Sequence, residues 1–101
     1  MTVTTNVTTM NLEWDDKKAA QNLQKHRVSF EDAALVFYDE GRIEAYDNRE
    51  DYSEDRWATI GMVCAAVLYV VYTIREGDTV RLISARKAND QERKQYRQAN
   101  P

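Results

Sequence analysis

The chain has 101 residues, of which 43% are apolar and 31% are charged, and its net charge at pH 7 is −3. This composition is typical of one globular domain with a modest core. The single cysteine, Cys64, excludes an intrachain disulfide and a cysteine-based metal cage, and the single histidine, His26, excludes a histidine-rich metal site. We therefore expect neither a metal ion nor another cofactor.

Membrane and export signals are also missing from the sequence. The longest apolar run, Met62 to Ile74, is shorter than the roughly 20 residues that cross a bilayer as a helix. No secretory signal pattern opens the chain. These features favour a cytoplasmic protein.

Charge is unevenly distributed along the chain. Residues 79–101 carry a net charge of +4, whereas residues 1–78 carry −7. Acidic side chains are densest at residues 39–55, where eight carboxylates accompany two arginines. A polyanion would be attracted to the C-terminal part and repelled by the middle, unless both charge runs are simply solvated surfaces.

The first ten residues show no helical period. They are predicted to form an N-terminal extension, either a flexible tail or a loose edge strand, ahead of a single domain at residues 11–101. A flexible tail is the interpretation that we adopt for the extension.

Two helices are predicted next. Asp15 is a plausible N-cap for the segment DKKAAQNLQKH, whose last turn contains His26. Ser29 and Asp32 then form a capping-box pattern for a second, short helix that extends to about Tyr38.

The rest of the chain predicts strands followed by a helix. Four runs have strand patterns: RIEAY, RWATIGMV, VLYVVYTIR and TVRLISARK. The turn at Glu76 to Asp78 joins the last two as an antiparallel hairpin. Asn89 and Glu92 cap the final helix, DQERKQYRQA. We therefore predict an α+β domain with two N-terminal helices, a four-stranded, largely antiparallel sheet and one C-terminal helix.

The residue types suit chemistry on a phosphodiester. Cleavage of RNA without a metal ion needs a base for the 2′-hydroxyl, cations for the charge that develops on phosphorus, and an acid for the leaving oxygen. His26 is the natural proton carrier because histidine titrates near neutral pH. Arg86 and Lys87, beside the N-terminus of the final helix, are candidate phosphate ligands. Arg81 lies five residues before Arg86, which puts the two on opposite faces of an ideal strand unless a bulge intervenes.

Each of these assignments has a purely structural alternative. His26 could cap or pack its helix, the neighbouring Lys25 could be solvated, and Arg86 could pair with a carboxylate. Glu54 and Arg56 lie two apart at the start of a strand, so they are either a base with a neighbouring cation or a surface ion pair.

Aromatic side chains offer a further possibility. Trp57 and Tyr72 could stack on bases, but packing in the core is the favoured role for both.

Three separated motifs, in order and with suitable spacing over residues 12–97, resemble the BrnT family of toxins. The first, W-D-x-x-K followed by N-x-x-K-H-x-V-x-F-E-x-A, is met by Trp14, Asp15, Lys18, Asn22, Lys25, His26, Val28, Phe30, Glu31 and Ala33. The second, R-x-x-Y-x-E-x-R-W-x-x-I-G, is met by Arg49, Tyr52, Glu54, Arg56, Trp57, Ile60 and Gly61. The third, R-x-I-S-A-R-K-A followed by E-R-x-x-Y, is met by Arg81, Ile83, Ser84, Ala85, Arg86, Lys87, Ala88, Glu92, Arg93 and Tyr96.

The resemblance implies a RelE-like fold and a metal-independent ribonuclease that inhibits growth as the toxin of a type II toxin–antitoxin module. It also implies neutralisation by BrnA, a ribbon-helix-helix antitoxin, in a complex that represses its own operon and contacts operator DNA only through the antitoxin. Such a protein would form a dimer or a heterotetramer. Carried over by position, the implied active-site residues are His26, Lys25, Glu54, Arg56, Arg81 and Arg86, with His26 or Glu54 as acid or base and the arginines as phosphate ligands.

Two features depart from the family pattern. The overall charge is acidic, and Arg27 stands where a glycine commonly follows the family's histidine. An alternative function is therefore a catalytically inactive homologue that serves only as an antitoxin-binding co-repressor.

Overall fold

A computed structural model describes residues 2–7, 10–47 and 54–101. The strands are β1 (Thr2–Val7), β2 (Met10–Asp15), β3 (Ile43–Asp47), β4 (Arg56–Val63), β5 (Ala66–Arg75) and β6 (Thr79–Lys87). The helices are α1 (Asp16–His26), α2 (Phe30–Ala34) and α3 (Asp90–Ala99), and a 3₁₀ helix, Leu35–Tyr38, continues α2.

The strands form one mixed sheet in the order β1-β2-β6-β5-β4-β3. The α+β class and the three helices agree with the prediction, but the predicted strand number is wrong, because β1 and β2 add to the four expected strands. Strand β2 also pairs in parallel with β6, where Leu12 lies opposite Val80. Buried Leu12 and Trp14 alternate with partly exposed neighbours, as in a strand. This alternation covers too few residues before helix α1 to predict a strand from the sequence.

The N-terminal extension takes part in this sheet. Residues 2–7 form the edge strand β1, which is antiparallel to β2. Because β2 begins at Met10, the strand pair crosses the predicted boundary between residues 10 and 11, and the division of the chain at that point stays a prediction. Arg49 and Tyr52 of the second motif lie outside the described residues.

Helix α1 begins and ends as the sequence predicts. The Asp15 carboxylate accepts a hydrogen bond from the Lys17 backbone N–H at 2.9 Å, and His26 is the last residue. Arg27 follows with φ of 62°, in the left-handed region. Glycine is the residue that adopts this conformation most easily, so Arg27 occupies a position that favours glycine.

Helix α2 and the 3₁₀ helix pack against the sheet. The Ser29 side chain accepts a hydrogen bond from the Asp32 backbone N–H at 3.0 Å and caps α2. Val36 then lies so close to Gly61 of β4 that a Cβ at residue 61 would be 2.6 Å from Val36 Cγ2. A side chain at residue 61 would therefore force Val36 to move.

Helix α3 begins at the predicted capping box. The Asn89 side chain accepts a hydrogen bond from the Glu92 N–H at 2.8 Å, and Glu92 Oε1 accepts one from the Asn89 N–H at 2.9 Å. Two orphan donors of the first turn are satisfied in this way.

Asp39 holds the other end of α3. Its carboxylate accepts hydrogen bonds from the Tyr96 hydroxyl and the Met62 N–H, each at 2.7 Å, and from the Gly41 N–H at 2.9 Å. Burial alone would raise the pKa of Asp39, but these hydrogen bonds and the nearby Arg42 charge outweigh it and lower the pKa. Asp39 therefore joins the loop after the 3₁₀ helix, strand β4 and helix α3 through one ionised group.

The main core lies between one face of the sheet and the first two helices. Trp14 packs edge-on against Phe30 with ring centroids 6.0 Å apart, and Phe37 packs edge-on against Tyr72 at 5.2 Å. Tyr72 is buried, and Trp57 packs against the same cluster. Trp57 and Tyr72 thus pack in the core, which is the role that the sequence favours for both.

Candidate active site

A β-bulge brings the predicted arginines to one face of the sheet. Val71 pairs with Ser84 but Tyr72 pairs with Leu82, so Ile83 is an extra residue in β6. Arg81 therefore pairs with Thr73 and Arg86 with Tyr69, two β5 residues whose even separation gives them the same orientation. The bulge cancels the odd separation that would place Arg81 and Arg86 on opposite faces.

Arg56 and Ser84 lie on this same face. Ala58 pairs with Val71, which in turn pairs with Ser84, so the three side chains form one cross-strand row. Arg56 precedes Ala58 by two residues and shares its orientation. We call this surface, defined by Arg56, Arg81, Ser84 and Arg86, the arginine face.

Helix α1 and the arginine face enclose a groove of about 320 Å³. Its wall on the helix side consists of residues spaced three or four apart, which is the spacing of one helical face. The lining side chains are Lys18, Gln21, Asn22, Lys25 and His26 from α1, Arg56 from β4, and Ile83 and Ser84 from β6. The structure thus brings Lys25, His26 and Arg56 together, although 30 residues separate His26 from Arg56.

The groove is cationic in a protein whose net charge is −3. It combines Lys18, Lys25 and Arg56 with His26, and no carboxylate lines it among the residues that the structure describes. Three cations and a histidine beside hydroxyl and amide groups suit the binding of a phosphodiester. The arrangement could hold the anion and transfer a proton at the same place.

Comparison with known proteins identifies the family. Residues 14–92 match the family described as the ribonuclease toxin, BrnT, of type II toxin-antitoxin systems. The chain belongs to the BrnT family. The match covers most of the chain and confirms the resemblance drawn from the three motifs.

A solved BrnT structure has the same fold. The crystal structure of the Brucella abortus ribonuclease toxin BrnT, at 1.1 Å resolution, aligns with a TM-score of 0.56 and 20% sequence identity. The alignment covers 76% of this chain and 94% of the Brucella chain. At this identity the likeness shows the fold alone. A comparison with curated proteins gave no match.

The other predicted site residues of this BrnT chain make contacts outside the groove. Arg86 forms two hydrogen bonds with the Glu92 carboxylate, at 2.8 and 2.9 Å, and its guanidinium carbon lies 4.2 Å from the centre of the Tyr69 ring. Arg81 lies 3.4 Å from Glu13 Oε1, across the parallel pairing of β2 and β6. Both arginines remain on the arginine face, partly exposed.

Glu54 lies apart from the groove lining. Its Oε2 atom is 3.0 Å from a guanidinium nitrogen of Arg75, at the far end of β5. Both side chains are partly exposed, so this is a surface ion pair. The sequence prediction that Glu54, Arg81 and Arg86 act together with His26 stays a prediction.

Sequence reasoning missed five of the residues that line the groove: Lys18, Gln21, Asn22, Ile83 and Ser84. Lys18, Gln21 and Asn22 precede Lys25 by seven, four and three residues, so the helical period counted back from Lys25 would have found them. Ser84 lies beside Ile83 in the third family motif, but its orientation depends on the bulge, which has no signal in this sequence.

Two features are absent from residues 2–7, 10–47 and 54–101. No helix there is long and apolar enough to cross a membrane. No cluster of histidine, cysteine, aspartate and glutamate side chains in the same ranges has an arrangement that could hold a metal ion.

Proposed function

We propose that this BrnT protein is the toxin of a type II toxin–antitoxin module and cleaves RNA in the groove without a metal ion. The observation that carries the proposal is the convergence of Lys25, His26 and Arg56 from two distant segments into one cationic groove. Membership in a family of ribonuclease toxins supplies the class of reaction.

Cleavage in this groove would proceed by attack of the ribose 2′-hydroxyl on the adjacent phosphorus. The neutral imidazole of His26 takes the 2′-hydroxyl proton as the new O–P bond forms. The bond from phosphorus to the 5′-oxygen then breaks and leaves a 2′,3′-cyclic phosphate, while the leaving oxygen gains a proton from the imidazolium or from water. Arg56 and Lys25 stabilise the negative charge that develops on the phosphoryl oxygens.

The remaining arginines would extend the RNA-binding surface beyond the groove. Arg81 and Arg86 share the face of Arg56 and are partly exposed, so phosphates on either side of the cleaved bond could reach them. Each would have to exchange a carboxylate partner for a phosphate, an exchange between similar charge-assisted contacts.

The test measures cleavage of a structured RNA with EDTA present, together with growth after induced expression. We expect the wild-type protein to cleave and to arrest growth, and His26→Gln and Arg56→Ala to lose at least about 100-fold in rate. Arg97→Ala, an exposed cation of α3, is the matched control and should keep full activity. Intact RNA and unharmed cells with the wild-type protein would contradict the proposal and favour the inactive co-repressor.

The proposed partner is a BrnA-like ribbon-helix-helix antitoxin. Membership in a toxin–antitoxin family implies an antitoxin, and this particular type follows from the resemblance of the motifs. Co-expression should yield a stable dimer or heterotetramer that protects cells and retards the operator DNA in a gel. The toxin without the antitoxin should leave that DNA unshifted.

A further inference from the structure

We propose that Asn22 is a positioning residue that sets the width of the groove and the placement of Lys25 and His26 within it. This inference rests on the proposed function. It assigns a role to a residue whose side chain is buried, with 6% of its surface exposed, yet lies at the groove.

Asn22 takes the place of a neighbouring strand at the edge of β6. Strand β2 pairs with β6 only from Thr79 to Arg81. Further along, the Asn22 amide nitrogen donates a hydrogen bond to the Ala85 carbonyl at 2.8 Å, and its oxygen accepts one from the Ala85 N–H at 3.0 Å. One side chain thus satisfies both backbone groups of a buried residue, as a paired strand would.

The same amide also fixes the chain after α1. Its nitrogen donates a second hydrogen bond, to the Val28 carbonyl, at 2.9 Å. With three hydrogen bonds made and its surroundings buried, the Asn22 side chain has one orientation only. The end of α1 and the turn that follows are therefore held at a fixed distance from β6.

The hydrogen bonds between Asn22 and Ala85 set the width of the groove because each of these residues adjoins one of its two walls. Lys25 and His26 follow Asn22 by three and four residues and lie on the same helical face. Ser84, on the other wall, directly precedes Ala85 and comes right after the bulge at Ile83. A shift of α1 relative to Ala85 would move Lys25 and His26 away from Ser84 and Arg56.

The experiment compares Asn22→Ala and Asn22→Asp with the wild type and with Val36→Ala. Asn22→Ala loses all three hydrogen bonds. Asn22→Asp keeps an acceptor for the Ala85 N–H but loses both donors, and it provides a second variant if the alanine variant folds poorly. Val36→Ala removes packing from the core beneath Gly61, away from the groove, and serves as a control for a general loss of stability.

Cleavage kinetics give the first measurement. Both Asn22 variants should lower kcat by about 10- to 100-fold with a much smaller change in KM, because misplaced groups impair the reaction more than they impair RNA binding. Val36→Ala, with a similarly lowered melting temperature, should keep kcat within about twofold. A kcat equal to wild type in a folded Asn22 variant would overturn the inference.

The single histidine gives a second measurement that does not require cleavage. In the wild type, inorganic phosphate should shift the NMR signal of the His26 Cε1–H proton, and the Asn22 variants should show a weaker shift at the same phosphate concentration. An unchanged phosphate response in both variants would overturn the inference even if the wild type cleaved RNA. A wild type that fails to cleave RNA but shows this difference would instead overturn the proposed function alone.

Discussion

Arg86 and Glu92 form a two-point ion pair that ties strand β6 to the first turn of α3. Glu92 Oε1 contacts both the Arg86 guanidinium and the Asn89 N–H. One carboxylate therefore caps the helix, holds it on the sheet and orients an arginine of the arginine face.

Replacing Glu92 by alanine should lower the free energy of unfolding by about 1–2 kcal/mol. The loss combines a helix cap, worth about 1 kcal/mol, with a partly exposed ion pair worth less than that. Urea denaturation would measure it. Gln91→Ala, in the same turn but exposed, should change the free energy by less than about 0.5 kcal/mol. Equal effects of the two substitutions would contradict this account of the α3 start.

Arg27→Gly should raise the free energy of unfolding by about 1 kcal/mol. Arg27 follows α1 in the left-handed region, with φ of 62°, where an L residue with a Cβ is strained and glycine is not. Arg27→Ala keeps the Cβ and removes the charge, so it should bring no comparable gain. If both substitutions stabilised the protein equally, the charge rather than the backbone would be responsible.

The lowered pKa of Asp39 predicts how the free energy of unfolding depends on pH. Its pKa is lowered from the usual 3.8 in the folded protein, so its contribution is complete above that value and is lost as the pH falls through the lowered pKa. Asp39→Asn should therefore destabilise the protein at pH 7 and differ less from wild type at acid pH. Denaturation curves at both pH values would show this, with the exposed Glu40→Gln as a neighbouring control. A constant difference at all pH values would exclude the ionised carboxylate as the cause.

Salt should weaken RNA binding through the groove cations. For a 2′-O-methylated RNA, which lacks the attacking hydroxyl, Arg56→Ala should reduce the slope of log affinity against log salt by about 0.7, the value for one phosphate contact on a single strand. Arg97→Ala should leave the slope nearly unchanged. Fluorescence anisotropy at several salt concentrations gives both slopes, and a slope that Arg56→Ala does not alter would remove Arg56 from the phosphate site.

Local signals predicted the helices and four of the strands. The caps at Asp15, Ser29 and Asn89 act on backbone groups within three residues, so the sequence alone reveals them. Strand β2 is not predicted by the sequence, and an edge strand is only one of two alternatives for the residues of β1, because the place of both strands in the sheet depends on the remote strand β6. The alternation of Leu12 and Trp14 covers too few residues to predict a strand, and nothing local shows what the two side chains pack against.

The groove was only partly predictable for the same reason. The family motifs supplied Lys25, His26 and Arg56 as candidates. Their meeting depends on a bulge at Ile83 and on a hydrogen bond from Asn22 to Ala85, 63 residues later in the chain. Neither has a local sequence signal, and the same bulge decides which face Arg81 and Arg86 share.

The position of β6 has a consequence for synthesis of the protein in the cell. This strand lies inside the sheet between β2 and β5, but it comes from the last quarter of the chain. A nascent chain that still lacks residues 79–87 has neither Ser84 nor the Ala85 backbone that receives Asn22. The groove therefore cannot form until residues 79–87 have been translated, and a product that stops before β6 should lack it.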